Sequence, residues 1–179
     1  MRSPFRYDTR ELGRRAGSML EERIEADTPE RWGLDLVQVP AGTPIVIDGR
    51  FESVMDGVLV TATVEVSVAA ECGRCLDPVE LDLSAAILEL FAYQPDPDDD
   101  EALTVDGDVL DLEPVVRDAV VLSLPLNPLC DPDCLGLCAT CGVRLDDAEP
   151  GHAHEEVDPR WSALALLKDQ VDVSNTEEK

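Results

Sequence analysis

Eight side chains in this sequence carry soft donor atoms, and they fall in four close pairs: Cys72/Cys75, Cys130/Cys134, Cys138/Cys141 and His152/His154. The last four cysteines occupy one short stretch with the spacing C-x3-C-x3-C-x2-C, broken by Pro132 and Gly136 and followed by Gly142. Free cysteine behaves as a small hydrophobe, and core hydrophobes recur at a period of 3.6 or 2, not in a loop broken by proline and glycine. Disulfides belong mainly to exported proteins, and Met1-Arg2-Ser3-Pro4-Phe5-Arg6 opens no apolar signal segment. A metal suits the spacing better than disulfides or a set of merely reduced thiols. Zinc takes four soft ligands in a tetrahedron, and a C-x2-C-G turn presents two thiolates to one ion.

The donor count allows two arrangements. One joins Cys72/Cys75 to Cys130/Cys134 and Cys138/Cys141 to His152/His154, giving two zinc ions. The other places a single ion on Cys130, Cys134, Cys138 and Cys141. Either site is closed by four protein ligands, so the metal reads as structural.

Catalytic alternatives are weaker. Cys134-x3-Cys138-x2-Cys141 has the form of a radical-SAM iron–sulfur motif, but that chemistry needs an α/β barrel after the motif, and 38 residues follow Cys141. Phosphate-binding and dinucleotide-binding glycine patterns are absent, as is the EF-hand pattern in the aspartate run. No Ser/His/Asp or Cys/His set has supporting context, so the chain is read as no enzyme. No apolar run approaches the roughly 18 residues of a membrane helix, and a cytoplasmic protein is expected.

The elements around the pairs have their own signatures. Val58, Val60, Ala62, Val64, Val66 and Val68 alternate with Thr61, Thr63, Glu65 and Ser67, which predicts a half-buried antiparallel strand. Asp56-Gly57 before it predicts a two-residue hairpin turn. The strand runs into Glu71-Cys72-Gly73-Arg74-Cys75-Leu76-Asp77-Pro78, and Val79, Leu81 and Leu83 predict the return strand, so the first cysteine pair sits on a hairpin knuckle. Residues 87–92 continue that strand or form a short helix. Leu112, Val115, Val116, Ala119, Val120 and Leu124 follow helical spacing from Asp111 until Pro125. Near the N-terminus, Asp8-Thr9-Arg10-Glu11 has the form of a capping box, and Leu12, Ala16, Met19, Leu20 and Ile24 predict a helix weakened by Gly13 and Gly17. Asp158-Pro159 opens a last helix with Trp161, Leu164, Leu167 and Val171 on its inner stripe.

The chain carries 39 acidic and 14 basic residues, a net charge of −25. Seven of the bases fall within the first 31 residues, balanced by seven acids, so the excess negative charge begins at Trp32. Such a body repels phosphate backbones and attracts basic proteins. Direct RNA contact would need local patches, for which Arg10, Arg14, Arg15 and Arg74 are the candidates.

Several of these segments together resemble a known family. Glu71 to Pro78, the helix ending Leu122-Ser123-Leu124-Pro125, the run from Cys134 to Gly142 and Asp158-Pro159-Arg160-Trp161 are similar to the YceD family, the large ribosomal RNA subunit accumulation proteins. The resemblance spans about Phe5 to Lys168. Many members would carry a cysteine pair where this chain has His152 and His154, a departure that preserves ligand chemistry. The resemblance implies a non-enzymatic factor in large ribosomal subunit biogenesis, supporting synthesis, processing or stability of 23S ribosomal RNA. The expected partner is the rRNA precursor or a basic large-subunit ribosomal protein, with no membrane and no small-molecule substrate. The alternative function is a zinc/thiol redox-sensing switch.

The fold class expected is α+β: an antiparallel β-sheet meander flanked by helices, with a cysteine-rich zinc-knuckle segment in the C-terminal half. A single YceD-like domain is expected over residues 1–173, β-rich at 34–92, with an acidic loop at 94–108, a helix plus cysteine cluster at 111–145, a C-terminal helix at 158–170 and a polar tail at 174–179.

Overall fold

A computed structural model of the chain describes residues 4–96, 98 and 102–154. The elements in order are β1 (Arg6–Asp8), β2 (Met19–Asp27), β3 (Trp32–Leu34), β4 (Val37–Val39), β5 (Pro44–Ser53), β6 (Gly57–Glu71), β7 (Pro78–Ala92), β8 (Val109–Asp111) and α1 (Glu113–Ser123). The chain divides into two compact units, Met1–Cys134 and Leu135–Lys179. All of these elements lie in the first.

Strand β6 organises that unit. Its inward residues Val58, Val60, Ala62, Val64, Val66, Val68 and Ala70 are buried, while Thr61, Thr63 and Glu65 between them are exposed. One edge of β6 pairs with β7 over the whole length, from Gly57↔Ala92 to Glu71↔Pro78. Its other edge is shared by two strands. It meets β5 from Ile45↔Val66 to Ser53↔Val58, then β4 at Val37↔Ala70 and Gln38↔Ala69. Strand β2 extends the sheet beyond β5, and β3 beyond β4. Every pairing between named strands is antiparallel. Residues 87–92 continue strand β7.

The covered face is closed by the β1–β8 ribbon and by α1. Phe5, Tyr7, Leu110, Leu112, Val115, Val116 and Val120 share one core with the inward residues of the sheet. Tyr7 stacks on Phe51 with ring centroids 3.8 Å apart, and Phe5 tilts against Trp32 at 6.0 Å. Helix α1 begins where the Asp111 carboxylate accepts the Glu113 amide. It ends at Leu124, whose ψ of 135° is the extended setting imposed by the following Pro125.

Three expectations need correction. The N-terminal helix through Leu12, Ala16, Met19, Leu20 and Ile24 does not form. Gly13 and Gly17 take φ of +65° and +90°, which break a helix, and Met19–Asp27 pairs instead with β5 from Met19↔Glu52 to Asp27↔Pro44. Leu20, Ile24 and Ala26 pack on the core at a period of two; helical spacing had coincided with strand spacing at Leu20 and Ile24. The sheet therefore begins at Met19, earlier than the expected 34–92. Second, the β5–β6 turn is displaced by one residue. Val54 N–H donates to the Gly57 carbonyl at 2.9 Å, which puts Met55-Asp56 at the tip and Gly57 in the strand. Gly57 is needed for close approach: a Cβ there would strike the Phe91 carbonyl. Third, the helical flanking is small. The described residues are mostly antiparallel sheet with one 11-residue helix, and the helix expected at 158–170 lies outside the described residues.

Candidate metal centres

The β6–β7 hairpin builds half of the first centre. Its tip, Cys72 to Asp77, is closed by the Cys72 N–H donating to the Asp77 carbonyl at 2.8 Å and the Leu76 N–H donating to the Cys72 carbonyl at 2.9 Å. Leu76 takes φ of +62°, an uncommon setting for a non-glycine residue. The other half arrives after α1. The Asp131 carboxylate accepts the Asp133 amide at 2.8 Å, and the Asp131 carbonyl accepts the Cys134 amide at 3.1 Å, which fixes the loop between Cys130 and Cys134. Two further contacts clamp the halves together. Gly73 N–H donates to the Pro128 carbonyl at 2.8 Å. The Arg74 guanidinium donates to the carbonyls of Cys134 at 2.7 Å and Pro132 at 3.2 Å.

These constraints place four sulfurs around one point. Cys75 Sγ lies 3.5 Å from Cys130 Sγ, and Cys72 Sγ lies 3.9 Å from Cys134 Sγ. Zinc–sulfur bonds of about 2.3 Å give tetrahedral edges of about 3.8 Å, so both distances fit a shared ion, whereas a disulfide would need about 2.05 Å. Cys72, Cys75 and Cys134 are buried and Cys130 is exposed. Amide N–H groups of Cys75, Cys130 and Arg74 point at the Cys72 sulfur and lower that thiol to about 6. Hydrogen bonding with Cys75, then with Cys134 and Cys72, pushes Cys130 up to about 12. Adjacent thiolates repel one another, so the full set ionises only around a cation.

The second centre lies wholly within Leu135–Lys179 and is assembled from turns. Cys138 N–H donates to the Val143 carbonyl and Gly142 N–H to the Cys138 carbonyl, both at 2.8 Å, and Gly142 supplies the φ of +71° that closes the C-x2-C turn. A bridge pairs Leu137 with Arg144, and Leu145 N–H donates to the Gly136 carbonyl at 2.9 Å. His152 Nε2 lies 3.4 Å from Cys141 Sγ and 3.2 Å from His154 Nε2. Tetrahedral zinc with nitrogen ligands at about 2.0 Å gives S···N edges of about 3.5 Å and N···N edges of about 3.3 Å. Amides of Cys141 and Thr140, then His152, lower the Cys138 thiol to about 6.

The eight donors therefore group as Cys72, Cys75, Cys130 and Cys134 in one set and Cys138, Cys141, His152 and His154 in the other, each with its ligand atoms within 4.8 Å of one another. This is the grouping of the two-ion arrangement; the single-ion grouping of Cys130, Cys134, Cys138 and Cys141 is not the one formed. The four candidate RNA-contact arginines lie apart in role. Arg10 reaches Asp8 and Asp108 at 3.6 and 3.7 Å. Arg14 donates to the Gly107 carbonyl at 2.9 Å and lies over the Tyr93 ring. Arg15 is exposed. Arg74 braces the first centre. That bracing role, and the Gly73–Pro128 contact, escaped sequence reasoning because their partners lie far along the chain; Asp131-Pro132-Asp133 was the local signal for the loop they meet.

Comparison with known proteins gives this sheet-and-cysteine architecture a family. Residues 60–168 match the family described as Large ribosomal RNA subunit accumulation protein YceD. The chain belongs to the YceD family. It is 46% identical over 171 residues to the uncharacterised protein Rv2926c of Mycobacterium tuberculosis, covering 92% of this chain and 82% of that one. It is 24% identical over 157 residues to the uncharacterised protein YlbN of Bacillus subtilis, covering 86% of this chain and 90% of that one. Over 62 residues, 35% of this chain and 19% of the other, it is 31% identical to the chloroplastic large ribosomal RNA subunit accumulation protein YCED homolog 1 of Arabidopsis thaliana. No solved structure matches.

Proposed function

We propose that this protein is a non-enzymatic factor in large ribosomal subunit biogenesis that supports 23S ribosomal RNA synthesis, processing or stability by binding. Membership of the YceD family over residues 60–168 carries this reading. The donor sets support the binding role over a catalytic one: each supplies four protein ligands, which fill a zinc tetrahedron and leave no open position for substrate. In this reading Cys72, Cys75, Cys130 and Cys134 hold one structural zinc ion and Cys138, Cys141, His152 and His154 a second. The net charge of −25 favours a basic large-subunit ribosomal protein as the direct partner over extended contact with rRNA.

The test is affinity purification of the tagged protein from its own cells, with and without ribonuclease. Recovery of a basic large-subunit protein that survives ribonuclease is the expected result. Recovery of rRNA precursors, with protein partners lost after ribonuclease, moves the direct contact to RNA and makes Arg10, Arg14, Arg15 and Arg74 the residues to substitute. Recovery of neither removes the reading.

The exposure of Cys141 favours one second reading, a zinc/thiol redox-sensing switch. In that case mild peroxide takes two electrons from a thiolate pair, is reduced to water, and leaves a disulfide and a free zinc ion. Stoichiometric zinc release with a change in partner binding supports the switch; zinc that is inert to peroxide excludes it.

A further inference from the structure

We propose that the two donor sets are zinc sites of different kind: Cys72, Cys75, Cys130 and Cys134 hold a permanent ion, while Cys138, Cys141, His152 and His154 hold an exchangeable ion whose binding folds residues 135–154. This inference rests on the zinc reading above and adds what each ion does.

The first set is prepositioned by protein alone. Cys72 and Cys134 are 62 residues apart in sequence, yet the register of β6 with β7 fixes the knuckle, and Gly73 and Arg74 tie it to the loop after α1. Beneath that knuckle lies the main core: Val68 is fully buried, Ala70 is buried, and Cys72 itself is 0% exposed. Opening this site to release an ion requires moving a hairpin end that a hydrophobic core holds in place. Cys130 is exposed, but Cys75 and Cys134, at 5% exposure each, and Cys72 are buried, so an incoming ligand reaches one of the four donors and the hairpin end must still move to free the other three.

The second set has no such support. All four of its donors fall between residues 138 and 154. Among the described residues of this unit no hydrophobic side chain is fully buried: Leu137 and Leu145 are half-buried, and Leu135 and Val143 are exposed. Among its described residues, 135–154, the backbone order consists of one isolated bridge and a few turn hydrogen bonds. A segment whose described apolar side chains are at most half-buried has little of the usual source of folding free energy, and an ion gripped by four donors supplies what is missing. Metal binding and folding are then one equilibrium for 135–154. Cys141 and His154 are both exposed, so a competing ligand can attack the ion directly and take it by stepwise exchange. The donor chemistry agrees. Two thiolates and two neutral imidazoles around Zn2+ form a neutral site, while four thiolates leave a net charge of about −2 that holds a divalent ion more strongly.

The experiment uses the full chain with zinc. Native mass spectrometry counts the ions, a chromophoric zinc chelator removes them over time, and hydrogen exchange reads the protein at each stage. Two ions are expected, one leaving at least tenfold faster than the other. On its departure the amides of Cys138, Gly142 and Leu145 lose protection while β6 and β7 keep theirs. Cys138→Ser and His152→Ala should each abolish the fast phase and leave the slow ion and the sheet's protection intact. Release of both ions in one phase, persistence of protection at 138–145 after the first ion leaves, or loss of sheet protection with the first ion overturns the proposal. One bound ion overturns it as well. A protein that binds no zinc at all removes the underlying zinc reading, a result distinct from each of these.

Discussion

Arg74 shows how much one side chain can do at a distance from its sequence neighbours. It lies between two cysteines of the first donor set, and its guanidinium reaches across to the carbonyls of Pro132 and Cys134. Replacing Arg74 by Ala removes both hydrogen bonds and frees the loop that carries Cys130 and Cys134. Supporting contacts of this type change metal affinity about 10–100-fold. Arg74→Ala is therefore expected to weaken zinc binding at the first centre at least tenfold in a competition titration, with Arg74→Lys recovering part of it; unchanged affinity would show the brace to be dispensable. Tyr7 makes a second case at this scale. Burial, then the negative charge of Glu22, pushes its hydroxyl up to about 12. Unfolded tyrosine ionises near 10. Between those values the folded chain keeps a proton that the unfolded chain has released, so stability is complete below pH 10 and falls as pH rises toward 12. Tyr7→Phe should leave the urea midpoint nearly unchanged at pH 8, a shift under about 1 kcal/mol, and remove that alkaline loss at pH 11. A Tyr7→Phe variant that loses stability as steeply as the parent would assign the alkaline loss to other groups.

Strand β6 works as an element because both edges and one face are engaged at once. Its period-2 pattern was readable from Val58 to Val68 because burial of one face forces that alternation. Val64 is fully buried, and Val64→Ala removes two methyl groups from a packed site, which should cost about 2 kcal/mol by urea denaturation. Thr63→Ala, on the exposed face beside it, should cost under about 0.5 kcal/mol. At the start of the strand, Gly57 lies against the Phe91 backbone, so Gly57→Ala is expected to destabilise by about 1–3 kcal/mol by forcing β6 and β7 apart. A neutral result would mean that the turn at Met55-Asp56 absorbs the clash. The N-terminal stretch taught the opposite lesson. Leu20 and Ile24 are spaced for either a helix or a strand, and only the presence of β5 as a pairing partner selected the strand.

On the scale of the whole molecule, the dominant property is charge. With 39 acids against 14 bases, its field accelerates encounter with a basic partner and screens out within about 8 Å at physiological salt. Association with such a partner is expected to slow at least tenfold between low and high salt, with dissociation less affected, in a surface-binding kinetic series. Association that is independent of salt would show that the acidity serves something other than recognition. Local pairs such as Arg23 with Asp48 at 2.9 Å neutralise only small parts of this field.

The sequence alone determined the donor residues, their pairing into short-range turns, the central strand, the helix before Pro125 and the family resemblance. Each of these depends on residues within a few positions of one another, where spacing translates directly into geometry. Tertiary structure decided which pairs meet. Nothing local to Cys72 or Cys130 states that β6 and β7 will carry one to the other, since that follows from strand register, the path of α1 and the clamp by Gly73 and Arg74. It also decided the identity of β2, the displaced turn at Met55-Asp56 and the reach of Arg74 to the carbonyls of Pro132 and Cys134, because each is a choice between locally equivalent options that only long-range contacts can make.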